Sequence, residues 1–393
     1  RNYRLFLFGF LLADLAAAGA LGIQELKEKI PDTIYLRYGE EKGLEESLDI
    51  PLVTYPDSID VSERGSYRIP CSLLGMIPLK AVQAEIVEDQ WVYVSGTPVG
   101  LYMETQGILI VDTGEITNEK GIIEEPAANI VQPGDYILEI NGKGISRKKE
   151  LISEIEKCGG EEVELLVNRK GEEIPISLEP VFTQDEEYKL GIWVRDNTQG
   201  IGTLTYIDQE GKFGALGHGI SDTDTGELLD VSGGELYQAQ IISIIRGKQG
   251  TPGELSGYIE YEEDKKIGTI EKNTDIGIFG KLFSGMEPLG EKVKIGYKQE
   301  VKEGKAQILM ELEGEPEYYD IEITEIYGSQ QDPNKSFQIL VTDPALLAKT
   351  GGIVQGMSGS PILQDGKLIG AVTHVFVQDA AKGYGIFIEN MLG

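Results

Sequence analysis

From Tyr206 onward, short runs rich in Ile, Val and Thr recur at close intervals, at 240–245, 276–279, 306–311, 321–326 and 337–341, with glycine between them. Side chains alternate faces along a strand, so runs this short bury an apolar face only by joining a sheet. Few helical patterns interrupt them, which makes the chain mainly β and its C-terminal part an all-β barrel or sandwich. At 393 residues the chain exceeds one ordinary domain, and two or three folded units are expected.

The N-terminus reads differently. Residues 3–23 are almost wholly apolar, long enough to cross a bilayer, and Arg1 and Arg4 precede or open the run. Asp14 interrupts it, at a cost of about 2.5–3.5 kcal/mol if central. The small residues Ala16, Ala17, Ala18, Gly19 and Ala20 resemble a cleavage region, so a signal peptide and an uncleaved membrane anchor are both open. Either way the remainder is expected to be exported, and no later stretch is long enough to span a membrane. Residues 27–64, charged and punctuated by proline, read as a spacer with some extended structure. From 65 to 88 apolar alternation at Tyr67, Ile69, Leu73 and Leu74 suggests a small β unit.

A formal net charge of -31 and a pI near 4.4 argue against a nucleic-acid partner, because neutralising phosphates requires clustered Lys and Arg. The same charge fits a solvated extracytoplasmic protein, with acidic runs such as Glu161-Glu162 and Glu262-Glu263 on its surface. Cys71 and Cys158 are too few for a disulfide framework. With two histidines and no C-x-x-C or H-E-x-x-H pattern, neither a metal site nor a cofactor is expected.

Between the small β unit and the C-terminal part lies Val131-Gln132-Pro133-Gly134-Asp135-Tyr136-Ile137-Leu138-Glu139-Ile140-Asn141-Gly142, followed by a helical stretch at 147–158 and an apolar strand at 163–167. Pro-Gly-Asp turns the chain into a half-buried strand and Asn-Gly turns it out. This stretch resembles a PDZ domain, over about residues 91–180. The resemblance implies that an extended peptide, from this chain or a partner, adds as a strand beside the helix, with the amides near Gly100 and Leu101 receiving its carboxylate.

Near the C-terminus stands Gly356-Met357-Ser358-Gly359-Ser360-Pro361. A nucleophilic serine needs a tight turn that exposes its hydroxyl and leaves two amides free for an oxyanion, and this G-x-S-G-x-P pattern supplies one with the amides of Gly356 and Ser358. An imidazole base for it is His218 or His374. His218 lies between Gly217 and Gly219 at the end of a short apolar strand, which places a base on a turn rather than in a core; the acidic residues beyond it, Asp222 and Asp224, leave a metal-ligand reading open. His374, with Thr373, falls on the strand after the serine turn, where it lines the substrate cleft or simply packs.

A PDZ unit followed by this histidine and serine resembles the sporulation stage IV protein B serine peptidases, from about residue 90 to the end. The carrying segments are 214–225 around His218 and 350–361 running into 370–377. The resemblance implies Ser358 as nucleophile, His218 as base and Asp343 as its orienter. Asp275, in Asn273-Thr274-Asp275-Ile276-Gly277, resembles instead the Asp-Ile strand of chymotrypsin-like triads, and between these two acids the sequence is open. It further implies an exported endopeptidase that cleaves itself and the regulatory subunit of an intramembrane protease complex between the forespore membranes, activating processing of pro-sigma K. The expected organisation is a signal or anchor at 1–26, spacer and β unit at 27–90, PDZ domain at 91–182 and peptidase domain at 183–393. Two rival readings are a non-catalytic PDZ scaffold and a peptide sensor.

Overall fold

The computed structural model describes residues 2–37, 48, 50–56, 65–285, 290–327 and 332–392. Its first element is the helix Asn2–Lys29, of which Phe8–Lys29 is long and apolar enough to cross a membrane. Behind it, Thr33–Arg37 pairs in parallel with Ile77–Val87, which continues through Ser66–Leu73 to Val53–Thr54. The expected spacer therefore contributes a strand. Ile34 and Leu36 point into a core with Ile69, Val82 and Ala84. On the opposite face Tyr35 stacks on Tyr297 at 4.7 Å and Arg37 pairs with Glu300 at 2.9 Å, tying this unit to the C-terminal part. The rest of the expected spacer, residues 38–47, 49 and 57–64, lies outside the described residues.

The larger part of the molecule is two closed β-barrels, a chymotrypsin-like plan. In the first, Pro98–Thr113 pairs with Ile192–Ile207, then Lys212–Ala215, Gly277–Leu282, Lys266–Thr274 and Val231–Ile245, which returns to Pro98–Thr113 and closes a ring. In the second the ring runs Gly304–Glu311, Pro316–Ile326, Phe337–Val341, Asp379–Phe387, Lys367–Phe376, Pro361–Gln364 and back. Alternation sets which face goes inward: Phe337, Ile339 and Val341 are buried while Gln338 and Leu340 are less so. Each such fully buried side chain contributes about 1.5–3 kcal/mol. Trp91–Val94 bridges the barrels, pairing with Ile192–Ile207 on one side and Glu291–Ile295 on the other.

The PDZ unit grows out of the first barrel. Pro98–Thr113 serves both: residues 98–105 complete the barrel, and Ile108 and Leu109 pair with Tyr136–Ile140. Gly107 marks the change of sheet, with φ +98 and only 2.6 Å between its would-be Cβ and the Ile137 carbonyl, an approach open to glycine alone. The helix Lys148–Cys158 buries Leu151 and Ile155 against this sheet.

Two sequence expectations change here. Trp91–Val94 bridges the barrels and residues 98–105 form a barrel strand, rather than starting the PDZ unit. Gly100 and Leu101 form no open carboxylate loop, because they are paired on both edges, with Ile201 and Gly200 on one side and Tyr237 and Leu236 on the other. A strand with both edges filled has no amides left for an added peptide. Gly100 is glycine for packing: a Cβ there would stand 2.3 Å from Cγ2 of Ile259.

Candidate active site

The two histidines meet at the junction of the barrels, with ring centroids 5.2 Å apart. His218 follows Lys212–Ala215, where Leu216 (φ 68) and Gly217 (φ 69) both turn left-handed and throw the chain back. Asn273 pins the loop that follows: its Nδ2 donates to the carbonyls of Ile220 and Leu229, each at 2.8 Å, and its Oδ1 accepts from the Ile220 amide at 2.9 Å. Nδ1 of His218 lies 2.8 Å from the Gly219 carbonyl. A carbonyl only accepts, so Nδ1 carries the hydrogen and Nε2 is left with its lone pair, the form a general base requires. Burial holds His218 below the ordinary imidazole value, and the Gly219 hydrogen bond opposes that shift.

The serine turn is clamped between the barrels. The Ser358 carbonyl accepts from the Thr203 amide at 3.2 Å, and the Thr203 and Thr205 hydroxyls donate to the carbonyls of Gly356 and Gly359 at 2.9 and 2.7 Å. With its carbonyls held toward the first barrel, the turn leaves the amides of Gly356 and Ser358 with no acceptor among the described hydrogen bonds, while those of Met357, Gly359 and Ser360 are used. Gly359 (φ +93) has no room for a side chain, since a Cβ would lie 2.3 Å from the Thr203 carbonyl and 2.5 Å from the Leu216 amide nitrogen. The Ser358 hydroxyl donates to the Thr373 carbonyl at 2.8 Å and not to His218. Thr373 itself donates to the Asn334 carbonyl at 2.6 Å.

His374, one residue on, is exposed on its strand and faces His218. Its value is lowered first by desolvation, then by His218 and Lys335, with Asp332 acting the other way. Ser358, His218, Thr373, His374 and the free amides are thus brought together.

The expected orienting acid is not brought there. Asp343 caps the helix Pro344–Thr350: Oδ1 accepts from the amides of Ala345 and Leu346 at 2.8 and 3.0 Å, and Oδ2 from that of Asp320 at 3.3 Å. A carboxylate spent on three backbone donors has no hydrogen bond with His218. Asp275 does lie beside the histidine loop, but through its backbone, its carbonyl accepting from the Gly219 amide at 3.3 Å and from Nδ2 of Asn334 at 2.8 Å. Asp222 and Asp224, open above as metal ligands, are instead paired with the Arg195 guanidinium.

Sequence reasoning expected a peptide beside the helix but missed the residues that form the groove there, placing it at Gly100 and Leu101. About 440 Å³ of space lies between the helix Lys148–Cys158 and residues 190–194, with Ile152 and Trp193 largely exposed along it. Ile192 and Trp193 pair with Thr113 and Asp112 on one edge, and their other edge is unpaired among the described residues. The amides of Leu190 and Gly191 also have no acceptor among the described hydrogen bonds. The signal was present in Tyr188-Lys189-Leu190-Gly191-Ile192, where a glycine in the left-handed region (φ +67) opens an apolar strand.

The family described as SpoIVB peptidase S55 matches residues 186–392, more than half of the 393. No curated protein matches the sequence. Among solved structures, the PDZ domain of an SdrC-like protein from Listeria monocytogenes is similar at 20% identity over 23% of this chain and 87% of that one, with a TM-score of 0.18. The Rv3671c protease from M. tuberculosis in its active form is similar at 15% identity over 50% of this chain and 73% of that one, TM-score 0.30. An HtrA-type protease, AlgW, with a decapeptide is similar at 10% identity over 76% of this chain and 61% of that one, TM-score 0.31.

Proposed function

The chain belongs to the SpoIVB peptidase S55 family and is a serine endopeptidase, and we propose that Ser358 is its nucleophile and His218 its general base. The carrying observation is the serine turn itself, whose Gly356 and Ser358 amides have no acceptor among the described residues while the neighbouring carbonyls are tied down. In this reading the Ser358 hydroxyl rotates from the Thr373 carbonyl toward His218, and Nε2 takes its proton as Oγ attacks the scissile carbonyl. The two free amides receive the oxyanion, a contribution of about 3–4 kcal/mol per donor in comparable sites. His218 then passes the proton to the leaving amine, and water repeats the sequence on the acyl-enzyme. The Gly219 carbonyl keeps the tautomer, the service a carboxylate performs in the usual triad.

Peptide and protein segments are the substrates, with Thr373 and His374 walling the cleft. The groove at residues 190–194 receives an extended peptide, from this chain or a partner, in place of the Gly100 and Leu101 loop. An apolar helix at the N-terminus and the family resemblance support a finer reading: an enzyme exported or anchored from the forespore that cleaves itself and the regulatory subunit of an intramembrane protease complex, so that pro-sigma K is processed. The test is Ser358→Ala and His218→Ala in purified enzyme. Both should abolish self-cleavage and fluorophosphonate labelling with the fold retained, and the double variant should lose no more than either single one. Residual self-trimming by Ser358→Ala in isolation would refute the assignment.

A further inference from the structure

From Ala239 the strand Val231–Ile245 leaves the first barrel and pairs with Glu254–Ile259, so that a hairpin reaches across to the second barrel. The Gly247 amide donates to the Thr350 carbonyl at 2.8 Å and the Gly250 amide to that of Val377 at 3.0 Å, which moors its tip. The returning strand lies parallel to Gln355, the residue before the serine turn. There the Gln355 amide donates to the Gly253 carbonyl and the Leu255 amide donates to the Gln355 carbonyl, both at 2.8 Å. Glycine at 253 permits the approach, because a Cβ would stand 2.3 Å from the Ile245 carbonyl oxygen and 2.7 Å from Cγ1 of Val354.

The Leu255 hydrogen bond acts on the peptide that carries an oxyanion donor. The Gln355 carbonyl and the Gly356 N–H belong to one peptide unit, and a planar trans peptide directs the two opposite ways. Holding the oxygen on Leu255 therefore aims the Gly356 N–H away from the hairpin, and that amide has no acceptor among the described hydrogen bonds. Gly356 does not fix this direction by itself: it has no side chain, and its φ of +97 lies where glycine moves freely. Leu255 also covers it. A Cβ on Gly356 would lie 3.0 Å from Cβ of Leu255, which is buried in one cluster with Val354 and Met357.

We propose that Leu255 is a positioning residue of the peptidase, its backbone amide locking the Gln355-Gly356 peptide so that the Gly356 N–H faces the oxyanion, and its side chain seating the hairpin on the serine turn. The hairpin extends a strand of the barrel that carries His218, so one barrel supplies the base and sets a donor on the other. The inference rests on the reading of the Gly356 and Ser358 amides as the oxyanion donors.

The experiment uses the full-length enzyme, a short generic peptide substrate, and a peptide aldehyde with its matching alcohol as inhibitors. Ser358 Oγ bonds the aldehyde carbon, the carbonyl electron pair moves to its oxygen on the two donors, and the serine's proton passes to His218. The alcohol fills the same cleft and forms no oxyanion. Leu255→Ala loses the side chain and keeps the amide, whereas Leu255→Pro loses both. Leu255→Pro is expected to lower kcat roughly 100–1000-fold below wild type and at least about tenfold below Leu255→Ala, with KM within about threefold. Its aldehyde affinity should fall in step while its alcohol affinity stays within about threefold. General structural damage would weaken both inhibitors alike; that result, or a folded Leu255→Pro with the kcat of Leu255→Ala, overturns the proposal. If Leu255→Pro does not fold, Leu255→Ala decides: aldehyde affinity down at least about fivefold with the alcohol unchanged supports the lock, and unchanged aldehyde affinity overturns it. A wild type that binds the aldehyde no more tightly than the alcohol removes the oxyanion reading itself, so the two failures are distinct.

Discussion

Arg195 links the PDZ groove strand to the loop that carries His218, and its removal has a calculable consequence. It pairs with Asp222, whose side chain is 1% exposed, and with Asp224 at 2.8 Å; Arg195 itself is 33% exposed. Asp222 keeps two other partners, the amides of Asp224 and Thr225 at 2.9 and 3.0 Å, both on Oδ1. Arg195→Met would leave a buried carboxylate with one oxygen satisfied and no cation. Breaking a fully buried pair costs about 3–5 kcal/mol, and the partial exposure of Arg195 with the two retained amides brings the expectation to about 2–4 kcal/mol. In a domain of this size that lowers Tm by roughly 5–15 °C. Asp222→Asn retains an acceptor for both amides and removes the charge, so Arg195→Met with Asp222→Asn should be more stable than Arg195→Met alone. The assay is urea unfolding of all three variants followed on the peptidase domain, with equal m-values required before the midpoints are compared. A loss under about 1 kcal/mol for Arg195→Met, or a double variant as unstable as the sum of the singles, would refute the reasoning that charge burial dominates.

Asp343→Asn should leave kcat within about threefold and cost no more than about 1–2 kcal/mol of stability, because Asn still caps Ala345 and Leu346 but loses the acceptor for the Asp320 amide; a fall of about 10⁴ in kcat would mean the carboxylate acts on the imidazole. The acid limb of kcat/KM should lie below the ordinary histidine value of about 6.5, since His218 must be neutral to act and burial lowers its value. Activity is then kept on the neutral side and lost as pH falls through the lowered value, and a limb above 6.5 would contradict the burial seen here. Gly359→Ala should cost at least about 1–3 kcal/mol, read by thermal unfolding, for the clash with Thr203 and Leu216 at a positive φ. Ile152→Glu should weaken binding of an apolar peptide to the PDZ groove at least tenfold by fluorescence polarisation, with hydrolysis of a short generic substrate within twofold.

What the chain makes legible is short-range. The strand periodicity, the Pro-Gly-Asp and Asn-Gly turns and the apolar N-terminal run each act through neighbours in sequence, and each names its element without reference to the rest of the fold. The serine turn belongs with them, because Gly356 and Gly359 are needed for its own backbone shape. Asp343 had a local signal too: Asp followed by Pro344 opens a helix, and that signal describes its place better than any role beside an imidazole. Tertiary structure alone decided which strand edges are filled and which polar groups meet. Gly100 and Leu101 look like an open loop until strands from residues 198–203 and 231–238 close on both sides of them. Asn334 reaches Thr373 and Asp275 across 39 and 59 residues of chain. Neither periodicity nor turn grammar extends that far, because edge pairing and long-range hydrogen bonds are set by what the whole chain packs against them.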